Sequence, residues 1–546
     1  MIAPFDFINN PQIDSFSFLT SKLVNSGILK SCGFYKKNET TAKNIEAHTE
    51  SSESDGFKLS SVRTDDSKTK LKVGRPVEYS AFFILKLLLT YTFTGAATLG
   101  AFFKLPISKA VALQKSTVYN FLGSPTHNWK KLLLKMSFKA VKLIQETEPL
   151  DNFSAFICDD SNIHRRRAKH VELCARNFDH VEGKNTKGFL LLPVSWTNTN
   201  TTIPCNMALV SSSKQKNVIM AAKSDVDKRT VGGKRRAQAV KSKNEVVLEL
   251  VDECIHEGIT AEYFMTDSWF TCNNQLVLEI ARRGLYYIGM DKNFTQSYLY
   301  EDKEYSLNML RQFAVRDSSC SNSDILGHTL IAVPPTKQKA KLMTEDEYRK
   351  SCIPAKIVWL IARGSKEKVL AILCTDLSLS DEEVVRRYCA RFNIEFGFFH
   401  MKHFLNLESG SRATNYDSAF AHVAMSCMQL VIMTLLKLFN EDHKTIGELY
   451  HETTDAIRVK PLADVITRIV TMVTELPSLA IDRKYIVKGK EKEFSRFILE
   501  KLQKILSDVS LYSDSSDVNH FVKLFDGCCP LQNFNHNLLF NQALFV

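Results

Sequence analysis

The apolar positions change rhythm along the chain. From Gly74 to Glu148 they recur at helical spacing, through Leu87, Leu88 and Tyr91, after a start at Arg75-Pro76. That period predicts helices. Lys115 to Leu122 reads as one of them, with Ser116 or Thr117 as N-cap, since a hydroxyl there accepts a free first-turn N–H. Trp129 to Lys135 continues as an amphipathic basic helix. A short helix, a turn and a second helix make either a DNA-reading helix-turn-helix or an ordinary bundle.

From Asn152 short apolar runs take over. Phe153–Cys158 ends in Asp159-Asp160-Ser161, Gly188–Trp196 and Ile203–Val210 follow, and a run from Ala261 ends at Asp267. Such runs, bounded by turn residues, predict buried strands. Val246–Glu257 and Asn274–Arg283 predict helices, and Tyr286–Met290 a further strand. Thr329–Val333, Ala355–Ile361 and Val369–Cys374 are strand-like, while Ser380–Phe399, residues 411–440 and the remainder to Val546 are helical in pattern. The alternation predicts an α/β fold. Residues 36–72, rich in Lys, Ser, Thr, Asp and Glu, read as a linker or mobile arm.

Composition narrows this little. The 546 residues are 44% hydrophobic and 24% charged, which excludes a wholly disordered chain. A net charge of +11 favours a polyanionic partner without naming one. The excess concentrates in Arg165-Arg166-Arg167 and in residues 214–243, a basic loop that includes Lys234 and Arg235 and carries ten Lys and Arg against two Asp. Both stretches are candidates for phosphate contacts or for plain solvated surface. Thirteen cysteines without a Cys-x-x-Cys pair argue against a disulfide scaffold or zinc ribbon and for a cytoplasmic compartment. Met1 to Asn10 shows no secretory signal. The apolar stretch from Ala81 to Phe103 holds Lys86 and four threonines, so it predicts a buried helix or helix pair, with no membrane partner.

Three acidic positions carry candidate chemistry. Asp159, with Asp160 beside it, and Asp267 each end a predicted strand, where polar groups of an α/β sheet commonly face the site crevice. An Asp after a strand is also a common turn-former or helix cap. Glu395 shares a helix with Tyr388, Arg391 and Lys402, and at about 100° per residue the four fall within roughly a 60° arc. That face is either solvated and salt-bridged or borders a cleft, given the flanking Val384, Phe392, Phe396 and Phe399. Three carboxylates suffice to hold two Mg²⁺ ions, which keep several waters and prefer oxygen ligands. His400 and His403 lack a partner at zinc spacing, Trp196 and Trp269 are more readily core than base-stacking residues, and Gly232-Gly233-Lys234 lacks the pattern of a phosphate loop.

The run Tyr388-x-x-Arg391-x-x-x-Glu395, completed by Lys402, resembles the Tyr-Arg-Glu-Lys signature of DDE transposases of bacterial insertion sequences, in the branch with a β-rich insertion before the catalytic Glu. Asp159-Asp160-Ser161 resembles the first catalytic box of that family, and Met265-Thr266-Asp267-Ser268-Trp269-Phe270 the second; Arg412, Tyr416-Asp417 and Ala421-His422 add to the likeness, which covers roughly residues 75–440. The resemblance implies a ribonuclease H-like core, a mixed sheet with flanking helices interrupted by a β-rich insertion, between helical N- and C-terminal regions. It divides the chain into an arm and linker (1–72), a helical DNA-binding region (73–150), the two parts of the core (151–290 and 376–440), the insertion (291–375) and a helical C-terminal region (441–546). The 128-residue step from Asp267 to Glu395 agrees with such an insertion, being far longer than the usual connection of about 4–6 residues. It further implies that Asp159 (or Asp160), Asp267 and Glu395 bind two Mg²⁺ or Mn²⁺ ions. Tyr388, Arg391 and Lys402 would contact the backbone of double-stranded DNA, in a homodimeric, nucleoid-associated complex that cleaves transposon ends and joins them to target DNA. A catalytically inactive or domesticated DNA-binding relative, or a non-enzymatic helical scaffold, are the alternatives.

Overall fold

A computed structural model describes residues 11–34, 79–105, 113–148, 153–292 except 180, 296–362 except 319, 368–409, 413–439 and 443–455, with isolated positions 108 and 490. The chain divides into two units, Met1–Thr453 and Thr454–Val546, and the sheet with its flanking helices belongs to the first. The polar stretch 36–72, the Arg75-Pro76 helix start, Arg412 and the expected helical tail beyond 455, apart from 490, lie outside the described residues.

Among the described residues, twelve strands form one mixed sheet: β1 Ala155–Cys158, β2 Ser161–His164, β3 Ala175–Asp179, β4 Lys184–Thr197, β5 Thr202–Val210, β6 Tyr263–Thr266, β7 Tyr286–Asp291, β8 Ser297–Tyr300, β9 Lys303–Ser306, β10 Ile325–Val333, β11 Ile353–Ile361 and β12 Val369–Cys374. Their order is β2-β4-β1-β6-β7-β12-β11-β10-β8-β9, with β3 and β5 also on β4. β1, β6 and β7 run parallel, and β4 lies antiparallel to β1. Parallel neighbours need coverage on both faces, and β1 and β6 are accordingly buried along their whole length. The mixed sheet with flanking helices is consistent with a ribonuclease H-like core. Strands β8 to β12 do not stand apart from it, because β12 pairs directly with β7 and extends the same sheet.

The Trp129–Thr147 and Tyr416–Phe439 helices pack on β5 and on each other. Tyr416–Phe439 is long and apolar enough to cross a membrane, yet its most apolar stretch is entirely buried in protein. The Ala81–Phe103 stretch forms the expected helix pair, Ala81–Thr90 and Leu99–Phe102, joined by a 3₁₀ turn at Tyr91–Thr94. Left-handed Gly95 (φ 74°) breaks the path, and Thr98 caps the second helix by accepting from the Ala101 N–H.

Two local expectations are corrected. The Lys115–Leu122 helix starts one residue before Ser116, with Gln114 at its N-cap and no side-chain cap bond, so Ser116 and Thr117 lie inside the first turn. Residues 214–243 are not one loop: Thr230 caps a Val231–Ala239 helix, and Ser242 with Glu245 forms a capping box that starts the Lys243–Glu257 helix. Gly232 and Gly233 belong to that packing, not to a phosphate cradle. A Cβ on Gly232 would stand 2.7 Å from Pro125 Cβ, and one on Gly233 would stand 2.4 Å from the Asp227 carbonyl oxygen.

Candidate active site

Cys158 of β1 is in register with Thr266 of its parallel neighbour β6. Asp159 and Asp267 therefore leave two adjacent strands at the same, C-terminal, edge. Asp267 also caps the short Ser268–Thr271 helix, its Oδ1 accepting from the Trp269 N–H at 3.1 Å and the Phe270 N–H at 3.4 Å. The cap fixes the carboxylate without removing it from the site edge.

Glu395 arrives from the other part of the chain. The expected single helix is two, Asp381–Cys389 and Asn393–His403, separated by a 3₁₀ turn at Ala390–Phe392, so a projection on one straight helix does not hold. Arg391 and Glu395 still pair across the junction. The Arg391 guanidinium donates from Nη1 to Asp159 Oδ2 at 3.1 Å and from Nη2 to Glu395 Oε1 at 2.7 Å. It thereby joins the strand carboxylate to the helical one. The strands after β7 hold the start of this helical segment: His328 Nδ1 lies 2.9 Å from Asp381 Oδ2 and Lys356 Nζ 3.7 Å from Asp381 Oδ1. Glu382 accepts from the Ser321 and Asn322 N–H groups at 2.6 and 2.8 Å.

The electrostatics of the strand edge are unfavourable to its own charges. Burial, and then the neighbouring Asp267 charge, push the Asp159 carboxyl up to about 7, against the opposing pull of the Asp160 N–H and Arg391. Asp267 is also raised, by burial first and by the Asp160 charge. Asp160 itself turns to Lys243, with 2.9 Å between Oδ1 and Nζ. Asp159, not Asp160, faces Arg391. Tyr388 is buried, and burial raises its phenol to about 12; the Arg391 guanidinium lies 5.7 Å from its ring centroid.

The remaining expected contacts separate. Lys402 stands 3.5 Å from Glu408. Arg166 is exposed and paired in two places with Glu182. Arg165 bonds the carbonyls of His164 and Glu408, both at 2.9 Å. Lys234 is exposed. Arg235 is corrected: it is 5% exposed, donates to the His127 carbonyl and lies 3.4 Å from Asp417, so it cannot reach a DNA backbone in this arrangement. Its neighbour Arg236 pairs with both Glu172 and Asp417, at 2.7 and 2.8 Å. Sequence reading missed this buried quartet, because charge counting credits every Lys and Arg to the surface.

His403 stacks on Phe399 at 4.1 Å. Among the described residues, the group of three His, Cys, Asp or Glu ligand atoms lying within 4.8 Å of one another is His164, Asp179 and Glu182. Asp159, Asp267 and Glu395 do not converge that closely, because Arg391 stands between the first and the last. Trp196 is core, donating from Nε1 to the Thr260 carbonyl at 3.0 Å. Trp269 is not, being 47% exposed.

Residues 105–296 match the DDE superfamily endonuclease family. The matched segment contains both strand-edge aspartates and ends before the Tyr388–Lys402 stretch. No curated protein matches the chain. The similarity to a DDE endonuclease domain thus rests on the segment that builds β1 to β7.

Proposed function

We propose that this chain is a divalent-metal-dependent DDE endonuclease acting on DNA, and that it works as a cut-and-paste transposase of the branch its Tyr388–Lys402 stretch resembles. The observation that carries the reading is the pair Asp159 and Asp267 at the ends of adjacent parallel strands, inside the matched segment, with Glu395 tied to Asp159 through Arg391.

The donor set fits Mg²⁺ or Mn²⁺. All three groups offer carboxylate oxygens, the donors hard cations take. Asp159 is held protonated up to about 7 by burial and by Asp267, which is the condition a nearby divalent charge relieves. Asp159, Asp267 and Glu395 would hold the ions. Bound ions supply Lewis-acid stabilisation of the charge that builds on a scissile phosphate during in-line displacement. Arg391 bonds both Asp159 and Glu395 and is placed to grip a phosphate when released from them. Tyr388, buried and protonated, supports the Arg391 side chain. Lys402 and the exposed Lys234 and Arg166 offer further phosphate contacts. Two element ends cut in one complex call for a homodimer on DNA, within the nucleoid of the cytoplasm.

The test is strand cleavage of a duplex containing the sequences that flank the coding region, with Mg²⁺, Mn²⁺ or EDTA. Cleavage by the parent and its loss in Glu395→Gln support the assignment. Equal cleavage by the variant removes Glu395 from the site.

A further inference from the structure

Three of the four tryptophans are buried: Trp129, Trp196 and Trp359 are at most 1% exposed, whereas Trp269 is 47% exposed. A single exposed aromatic means little by itself. Trp269, however, stands two residues after Asp267 and is held from two sides. Its ring meets Phe270 edge-on with centroids 4.9 Å apart, and Lys243 Nζ sits 3.5 Å from its centroid. The same Nζ is 2.9 Å from Asp160 Oδ1. Beside these two contacts about half of the Trp269 side chain stays exposed to solvent. Lys243 itself is largely covered, with 18% of its side chain exposed, and its charge is brought directly beside the carboxylate edge.

We propose that Lys243 and Trp269 form a strand-gripping subsite beside the carboxylates, with Lys243 taking a backbone phosphate and Trp269 stacking on an unpaired base of the same DNA strand. The inference rests on the nuclease reading above. A polynucleotide brought to Asp159 and Asp267 meets a local excess of negative charge from Asp159, Asp160 and Asp267. Lys243 is a cation at this edge beside Arg391: Arg391 engages Asp159 and Glu395, and Lys243 engages Asp160. Exchange of Asp160 for a phosphate keeps the ammonium paired while it moves little. Trp269 adds an aromatic face next to that phosphate, and base–aromatic stacking tolerates any sequence because every base has a π-face. Ordinary core packing requires neither the exposure of Trp269 nor an ammonium on its ring.

Trp269 is its own reporter, since the other tryptophans are buried. The full chain is titrated with an oligothymidylate single strand in Ca²⁺, following tryptophan emission and, with labelled strand, anisotropy. Quenching in the parent that disappears in Trp269→Phe is the expected result, with the remaining emission and the melting temperature unchanged. Trp269→Ala weakens binding about tenfold, and Lys243→Gln lowers the slope of log K against log salt by about 0.7. Strand binding without quenching, and with unaltered affinity in Trp269→Ala, overturns the subsite and leaves the nuclease reading intact. Failure of the parent to bind or cut any DNA overturns both.

Discussion

Among the carboxylate–arginine clusters of this fold, two are built to opposite ends. In one, Glu172, Arg235, Arg236 and Asp417 are all at most 6% exposed and their formal charges balance. Arg236 reaches both acids, and the Tyr416 and Lys223 N–H groups also donate to Glu172. In the other, Asp159, Asp267, Glu395 and Arg391 leave more carboxylate than cation. Glu395 is 41% exposed along its side chain, and Asp159 is pushed up to about 7. Burial opposes ionisation of both Glu172 and Asp159. It loses at Glu172, where the Arg236 bond and backbone donors hold the pKa below the ordinary value, and wins at Asp159, where the nearest neighbours include another carboxylate. The kinds of residue do not distinguish the clusters. Charge balance does, and the unbalanced one is suited to receive a cation.

The largest effect lies in the balanced cluster. Arg236→Ala should cost about 3–5 kcal/mol in unfolding free energy, because it strands two buried carboxylates, and urea denaturation reads it directly. Since the folded pKa of Glu172 is depressed, its contribution is present above the ordinary glutamate range and lost as pH falls through the folded value. The cost of Arg236→Ala should shrink in acid. A loss under about 1 kcal/mol at neutral pH would show that the cluster is not the anchor its burial suggests.

In the unbalanced cluster the sensitivity should reverse. Glu395→Gln should lower the rate of metal-dependent strand cleavage on the order of 10²–10³-fold, while moving stability by no more than about 1 kcal/mol, the range of exposed ion pairs. A variant that unfolds would place Glu395 with the structural ions instead.

Asp159 gives a smaller, pH-dependent contrast. Its folded pKa, about 7, lies above the ordinary 3.8, so its stabilising contribution is present below the unfolded value and lost as pH rises through 7. Asp159→Asn should therefore match the parent near pH 4 and exceed it at pH 8, by on the order of 1 kcal/mol once the lost Arg391 contact is discounted. Added Mg²⁺ should raise the melting temperature of the parent at pH 8 and not that of the variant. A melting temperature of Asp159→Asn that follows the parent at every pH would refute the crowded-carboxylate account.

Much of the core was legible in the chain. Runs such as Val369–Cys374 and Ile203–Val210 are buried on most positions, and a continuous apolar run of strand length has few other readings. β2, Ser-Asn-Ile-His, and β3, Ala-Arg-Asn-Phe-Asp, were not legible, because both alternate with polar residues and β3 pairs at the exposed end of β4. The aspartates could be found because each ends an apolar run. That Asp159 meets Arg391 could not, since those residues are 232 apart and only the sheet and the helix break bring them together. Lys243 was invisible for a related reason: it closed a basic run by count, while its role depends on Asp160 and Trp269 lying across from it.

That limit of counting is sharpest at adjacent residues. Lys234 and Arg235 belong to one basic run, yet one side chain is exposed and the other buried against His127, Phe420 and Asp417. Lys234→Ala should leave the melting temperature unchanged and lower the salt slope of duplex binding by about 0.9, the share of one phosphate contact. Arg235→Ala should leave the slope alone and lower stability, since it removes a buried cation from Asp417. If both variants shift the slope equally, the 231–239 helix opens on DNA and the buried quartet is a second site rather than a brace.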